Sequence, residues 1–267
     1  MILRHARTAQ IARSVEDTFE AVDERSGDTL GKCEILIHEN PNLFPSRPLR
    51  IYLEIEGNPV PDALLGAAVA RAKEIAKAAK QPARVFTQIE PDDEALLSTL
   101  TLFGFKDSDG LVRMRRDFPF ELETEMPAGC VEVQDDLDDP LEGKFFLERY
   151  NQLFNEENDF EWLQGFRAKP GFKRLLIVSP YGMVGESAIC ESDGCGEVLW
   201  LHTAKKWRRK GVARHMLHLI CKEFEKRELA SAQASVQARI PGILHVMESA
   251  GFAQEKLLKR YPGIDIN

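Results

Sequence analysis

Arg208-Arg209-Lys210-Gly211-Val212-Ala213 sets three cations ahead of a glycine and an apolar stripe. The stripe recurs at Val212, Met216, Ile220 and Phe224 and at Ala213, Leu217 and Cys221, which is one face of a helix. Val198-Leu199-Trp200-Leu201-His202-Thr203, just before the cations, reads as a buried strand. A strand that feeds a glycine turn at a helix start makes an anion site. The first N–H groups of the helix have no internal partner, and the helix dipole favours negative charge there. Gly211 lets the backbone come close to a phosphate. The plainer reading of Lys205 to Lys210 is a solvated basic loop or a nucleic-acid patch. Glu197 lies in the strand before the loop. By regular alternation it shares a side with Leu199, Leu201 and Thr203. Partial enclosure there would raise its pKa toward that of a base working near neutrality. An exposed strand-start glutamate is the alternative. His202 falls on the other side and reads as a packing residue.

The elements that must position these residues repeat along the chain. Short apolar or alternating runs at Phe19–Val22, Cys33–Ile37 and Arg50–Ile55 read as strands separated by turn signals. Gly57-Asn58-Pro59-Val60-Pro61-Asp62 breaks the pattern, and an alanine-rich helix follows from about Ala63 to Lys80. Next come a strand at Val85–Ile89, a helix from Pro91 to Gly104-Phe105, and a strand from Leu111. Phe118 to Gly129 has no clear period and suits a linker. Beyond it lie a strand at Val131, a helix from Leu141 to about Phe154, and a second helical piece around Phe160 to Phe166. A hairpin spans Lys173 to Ile189 and leads into the central strand, turn and helix. A strand at Gln233–Gln237, a helix from Pro241 to Ala250 ending in Gly251-Phe252, and a strand at Glu255–Lys259 close the chain. Strand, turn, helix, strand, Pro-initiated helix, Gly-Phe and strand thus occur twice in the same order. Two domains are expected, 1–124 and 125–267.

The 267 residues carry 43 acidic against 35 basic side chains, a net charge of −8. That balance and the lack of interleaved aromatic and basic residues argue against nucleic acid as the partner. The five scattered cysteines read as reduced thiols of a cytoplasmic protein, without a zinc pattern. No run approaches the roughly 18 apolar residues of a membrane span, and no apolar segment after Met1 suggests a signal peptide.

Arg208, Gly211 and Ala213 fill the pattern Arg/Gln-x-x-Gly-x-Gly/Ala after a hydrophobic strand. The pattern resembles the acyl-CoA pyrophosphate loop of the GCN5-related N-acetyltransferases. The repeated order resembles the tandem form of that family. The resemblance covers most of the chain and is best from Met183 to Leu258. It implies an α/β (α+β) fold of two related domains, each a mixed, mostly antiparallel sheet flanked by helices. It also implies acetyl-CoA as cosubstrate, an amine as acceptor, and direct transfer without a metal. Pantetheine would pair with backbone around Leu201 and Thr203, and the pyrophosphate would sit on the N–H groups of Arg209, Lys210, Gly211, Val212 and Ala213. Glu197 would be the general base, acting through water.

Two places depart from the family pattern. The tyrosine that protonates the leaving thiolate in many relatives is Met247 here, and the asparagine of that helix is Pro241. A water, or a hydroxyl such as Ser249, would have to serve instead. A non-catalytic acyl-CoA binding or sensing protein is therefore the alternative function. The N-terminal copy departs further. Pro59 and Pro61 remove N–H donors from its turn, and no cation lies between Gly57 and Ala70. It is expected to lack a first strand and the two acceptor-side helices. It reads as a half that does not bind CoA, serving as a wall of the acceptor cleft or as a dimer surface. The acceptor side of the second domain is expected between Tyr150 and Phe172. There Asp159, Phe160, Glu161 and Trp162 would suit a cationic amine.

Overall fold

The computed structural model describes residues 1–5 and 15–267. By packing, the chain divides into two units, Met1–Leu111 with Leu257–Asn267, and Val112–Lys256. The expected boundary at 124/125 lies in a stretch that this division assigns to the second unit.

The first unit begins with β1 (Ile2–His5), β2 (Thr18–Val22), β3 (Thr29–Glu39) and β4 (Leu49–Glu56). The first three contacts between neighbours along this run are antiparallel. A first strand is therefore present, contrary to expectation. Its four residues are mostly exposed, so they show no burial period to read. Helix α1 (Asp62–Ala79) follows, then β5 (Ala83–Phe86), parallel to β4. Leu64, Leu65, Ala68, Val69, Ala72 and Ala76 form the buried stripe of α1 and pack on Cys33, Ile35, Ile51 and Leu53 of the sheet. Helix α2 (Glu94–Leu102) starts three residues beyond Pro91, where the Asp93 carboxylate accepts from Leu96 N at 3.0 Å.

The second sheet opens with β6 (Gly110–Asp117) and β7 (Val131–Asp135). Helix α3 (Pro140–Phe154) has Pro140 in its first turn, and Asp139 caps it by accepting from Leu141 N at 2.7 Å. Asn155 ends it in the left-handed region at φ 55°. Helix α4 (Phe160–Arg167) is capped by Asp159, which accepts from Trp162 N at 2.9 Å. Strands β8 (Lys173–Ser179), β9 (Gly182–Ser192) and β10 (Cys195–Thr203) form an antiparallel meander. Helix α5 (Val212–Lys226), β11 (Ser231–Gln237), α6 (Ile243–Ser249) and β12 (Ala253–Arg260) follow. The sheet order is β12-β6-β11-β10-β9-β8-β7. The chain ends in β13 (Gly263–Ile266), which pairs antiparallel with β5 at the edge of the first sheet.

Both sheets are thus mixed, mostly antiparallel and flanked by helices. Among the described residues, no helix is long and apolar enough to cross a membrane.

Candidate functional site

The site is built around the far half of β10. That strand stays paired with β9 as far as Thr203↔Gly185. Its parallel pairing with β11 covers only Gly196↔Ala232, Glu197↔Gln233 and Val198↔Ala234. Beyond Val198 the two central strands part, although both continue. A strand in that position leaves its backbone N–H and C=O groups on one edge to be paired by something else.

The parting begins at a bulge. Val198 pairs with Ile189 but Trp200 pairs with Ala188, so Leu199 is the extra residue. The buried Ser187 hydroxyl donates to Trp200 O at 2.6 Å and satisfies a carbonyl at the irregular place.

Because neighbours on β9 face opposite ways, the bulge reverses the alternation of β10. Glu197 lies opposite Cys190, Trp200 opposite Ala188 and His202 opposite Glu186. These three β10 residues therefore share a face. Leu201 and Thr203 lie opposite Ser187 and Gly185, on the other face. There a Cβ on Gly185 would meet Val212 Cγ1 at 3.0 Å. The expected grouping of Glu197 with Leu201 and Thr203, and of His202 apart from it, is thus corrected by one inserted residue.

The basic loop follows at once. Ala204 N donates to Val184 O at 3.0 Å, and a short 3-10 turn covers Lys205–Trp207. Arg208 Nε donates to Thr203 O at 3.2 Å, tying the loop to the strand end. Arg209 and Gly211 both adopt positive φ, 61° and 79°. Alternating left-handed residues turn backbone N–H groups toward a common side, an anion-binding concavity. Gly211 is the N-cap of α5 and has no side chain to cap the helix. His215 N donates to Gly211 O at 2.9 Å, so the N–H groups of Val212, Ala213 and Arg214 open the helix without an intrahelical acceptor. Arg208, Arg209 and Lys210 are exposed, with Lys210 Nζ 5.0 Å from the centre of the Trp207 ring. Val212, Met216, Leu217, Ile220 and Phe224 are buried along α5. At roughly 1.5–3 kcal/mol for each large side chain, their burial fixes this helix start against the sheet.

The corresponding turn of the first unit has the opposite character. Pro61 is the N-cap of α1, Pro59 lies two residues earlier, and Asp62 stands in the first turn. The prolines lack N–H groups and the carboxylate repels an anion.

On the Glu197 face, the Cys190 thiol approaches Glu197 Oε2 at 3.7 Å. Burial, and then the Glu197 carboxylate, push that thiol up to about 11. Trp200 packs edge-on to Phe146, with ring centres 5.4 Å apart, and lies 5.5 Å from Tyr150. Trp162 and Phe154 complete the ring cluster. Burial, followed by Glu156, raises the Tyr150 hydroxyl to about 12. The His202 ring stacks on Trp200 at 5.8 Å. Burial first, and then Arg208 and Arg149, lower its pKa to about 4.

The expected acceptor-side residues divide between roles. Asp159 is a helix cap, Glu161 is exposed in the first turn of α4, Phe160 is 45% exposed, and Trp162 belongs to the ring cluster. Met247 is buried in α6. Pro241 precedes α6, which begins at Ile243 after Gly242 at φ 78°. The Ser249 hydroxyl donates back to Val246 O at 2.8 Å.

Sequence reasoning missed a charged network under this face. The buried Glu186 accepts from Arg149 Nε at 2.9 Å, Arg149 Nη2 at 2.7 Å and Arg174 Nη1 at 3.2 Å. The buried Arg174 also pairs with Asp135 and Glu142. Ionisable residues set inside apolar strands are the signal that could have found it, since a buried charge must be paired.

No protein-family model matches the sequence, and no curated protein sequence does. Solved structures do match. A GCN5-related N-acetyltransferase from Sphaerobacter thermophilus aligns over 93% of this chain and 80% of its own, with TM-score 0.54 and 17% identity. A conserved protein of unknown function from Enterococcus faecalis V583, described as a "Probable N-Acyltransferase", aligns over 92% of this chain and 61% of its own. Its TM-score is 0.52 and its identity 12%. The chain has the fold of the GCN5-related N-acetyltransferase superfamily.

Proposed function

We propose that this chain is an acyl-CoA-dependent N-acyltransferase that moves an acetyl group from acetyl-CoA to an amine. The observation that carries the reading is the parting of β10 from β11 after Val198↔Ala234, followed along the chain by an uncapped helix start among three cations. A pantetheine arm carries amides that pair with the freed edge of β10 around Leu201 and Thr203. The pyrophosphate then rests on the N–H groups from Arg209 to Ala213, with Arg208, Arg209 and Lys210 supplying charge.

Glu197, at the foot of the gap on the aromatic face, takes the proton of the amine through a water. The amine nitrogen bonds to the acetyl carbon, the carbon–sulfur bond breaks, and the thiolate takes up a proton. Direct attack fits this chain better than a cysteine intermediate. Cys190, the thiol beside Glu197, is buried and held protonated. Five free thiols agree with a cytoplasmic setting. The first unit, with prolines and an aspartate at its turn, is a half that leaves CoA alone.

A second reading has its own support. Met247, where many relatives carry the tyrosine that protonates the thiolate, brings no acid. It favours a non-catalytic acyl-CoA binder or sensor.

Calorimetric titration of acetyl-CoA tests the donor site. One site per chain is expected, weakened at least about tenfold in Arg208→Glu/Arg209→Glu, since each lost charge-assisted contact costs about 1.5–3 kcal/mol. Two sites would reassign the first unit, and no binding would overturn both readings. Release of CoA thiol on adding amines then separates enzyme from sensor.

A further inference from the structure

We propose that the acceptor is an amine that also carries a carboxylate, and that Arg149 recognises that carboxylate. The inference rests on the acyltransferase reading above and names the class of its second substrate.

Arg149 is held as a binding group would be held. Glu186, 0% exposed on β9, takes two parallel hydrogen bonds from one edge of the Arg149 guanidinium. Glu186 is itself fixed by Arg174, which Asp135 and Glu142 clamp from the side. The plane of the Arg149 guanidinium is therefore set before any ligand arrives. Its other edge, with the Nη1 N–H groups, has no partner among the described residues, and the side chain is 28% exposed. A guanidinium with a fixed plane and one open edge matches a carboxylate bidentately.

His202 borders the same place. It lies directly across from Glu186 in the sheet register. Arg149 and Arg208 both disfavour its protonation, after burial. A neutral imidazole there offers an N–H to an anion without charge repulsion from its arginine neighbours. The rest of the acceptor is shaped by the rings. Tyr150 follows Arg149 on α3, and Tyr150, Phe154 and Trp162 are half-buried around Trp200. Carboxylate, amine and an apolar body together describe an α-amino acid with an aromatic or large apolar side chain.

The discriminating pair of probes is L-phenylalanine and 2-phenylethylamine, which share ring and amine and differ in the carboxylate. Their binding is measured by saturation-transfer NMR and calorimetry on the full chain, with and without acetyl-CoA. Wild type is expected to bind phenylalanine at least about tenfold more tightly, the worth of one charge-assisted contact. Arg149→Gln should abolish that preference and leave acetyl-CoA affinity unchanged, and Arg149→Lys should restore part of it. Equal or tighter binding of phenylethylamine, or binding of neither probe, overturns the proposal. Loss of acetyl-CoA affinity in Arg149→Gln also overturns it, by assigning the arginine to the donor's phosphates. Retained phenylalanine preference with no acetyl-CoA binding would instead uphold the carboxylate site and remove the acyltransferase reading.

Discussion

The ring of Phe224 lies across Gly196 so closely that a Cβ on Gly196 would come within 3.0 Å of three ring carbons. Phe224 is fully buried on α5, and Gly196 precedes Glu197 on β10. The missing side chain is what lets the helix carrying the basic loop settle on the sheet. Gly196→Ala should therefore destabilise the protein by about 1–3 kcal/mol, the usual cost of overpacking. Gly165, exposed within α4 with open space around it, is the control. Gly165→Ala should stabilise by about 0.5–1 kcal/mol through backbone entropy alone. Urea melts of the two variants measure both signs, and equal midpoints would remove the packing argument.

Ser187 holds the bulge at Leu199. Its hydroxyl is fully buried and donates to Trp200 O at 2.6 Å. Ser187→Ala leaves that carbonyl unsatisfied and should cost about 1–3 kcal/mol. Ser187→Thr keeps the donor but adds a methyl. If the bulge matters to the gap, the alanine variant should also bind acetyl-CoA more weakly. A stability loss with unchanged affinity would confine Ser187 to folding.

The central strand, loop and helix are legible in the sequence because their signals are local: cations, one glycine and a helical stripe. The bulge is not. Val198, Leu199 and Trp200 are all large and apolar, and only their partners on β9 reveal that one is extra. That single residue decides which side Glu197 occupies. Helix starts at Glu94 and Ile243 fall later than the prolines at 91 and 241 suggest. In the first case a capping side chain, and in the second a left-handed glycine, sets the boundary. The placement of β6 in the second sheet, and the Arg149–Glu186–Arg174 network, depend on pairings between distant segments. A charge inside an apolar strand announces that it needs a partner, but does not name one.

His202 gives the stability a pH dependence with a defined sign. Its pKa falls from 6.5 to about 4 on folding. Between those values the unfolded chain binds a proton that the folded chain refuses, so stability rises with pH. Stability is lost progressively as pH falls from about 6.5 toward 4, and the loss amounts to about 3 kcal/mol below both values. His202→Phe keeps a ring on Trp200 and removes the titration. Its unfolding free energy should be flatter between pH 6.5 and 5, by up to about 1.4 kcal/mol per pH unit. His215 and His218 are lowered as well, burial being the first cause for each. They are present in both proteins, so the difference isolates His202. Parallel profiles would show that the imidazole is charged in the fold.

Glu197 is the residue on which the chemical step is staked. It stands at the last paired stretch of β10, between Cys190 on β9 and Gln233 on β11, on the face that carries Trp200 and His202. Glu197→Gln keeps the shape and removes the base. If the carboxylate takes the proton of the amine, turnover with a competent acceptor should fall by about 10²–10⁴-fold. Acetyl-CoA affinity should stay within about twofold, because the proposed donor contacts lie beyond Val198, and the loss should persist at saturating acetyl-CoA. Cys190→Ala removes only the thiol beside the carboxylate and should lower turnover far less. Stopped-flow release of CoA thiol across acetyl-CoA concentrations separates these effects. A Glu197→Gln enzyme with wild-type turnover would move the proton acceptor elsewhere on the aromatic face. A variant that instead loses acetyl-CoA binding would mean that Glu197 supports the gap between the strands, and not the chemistry performed in it.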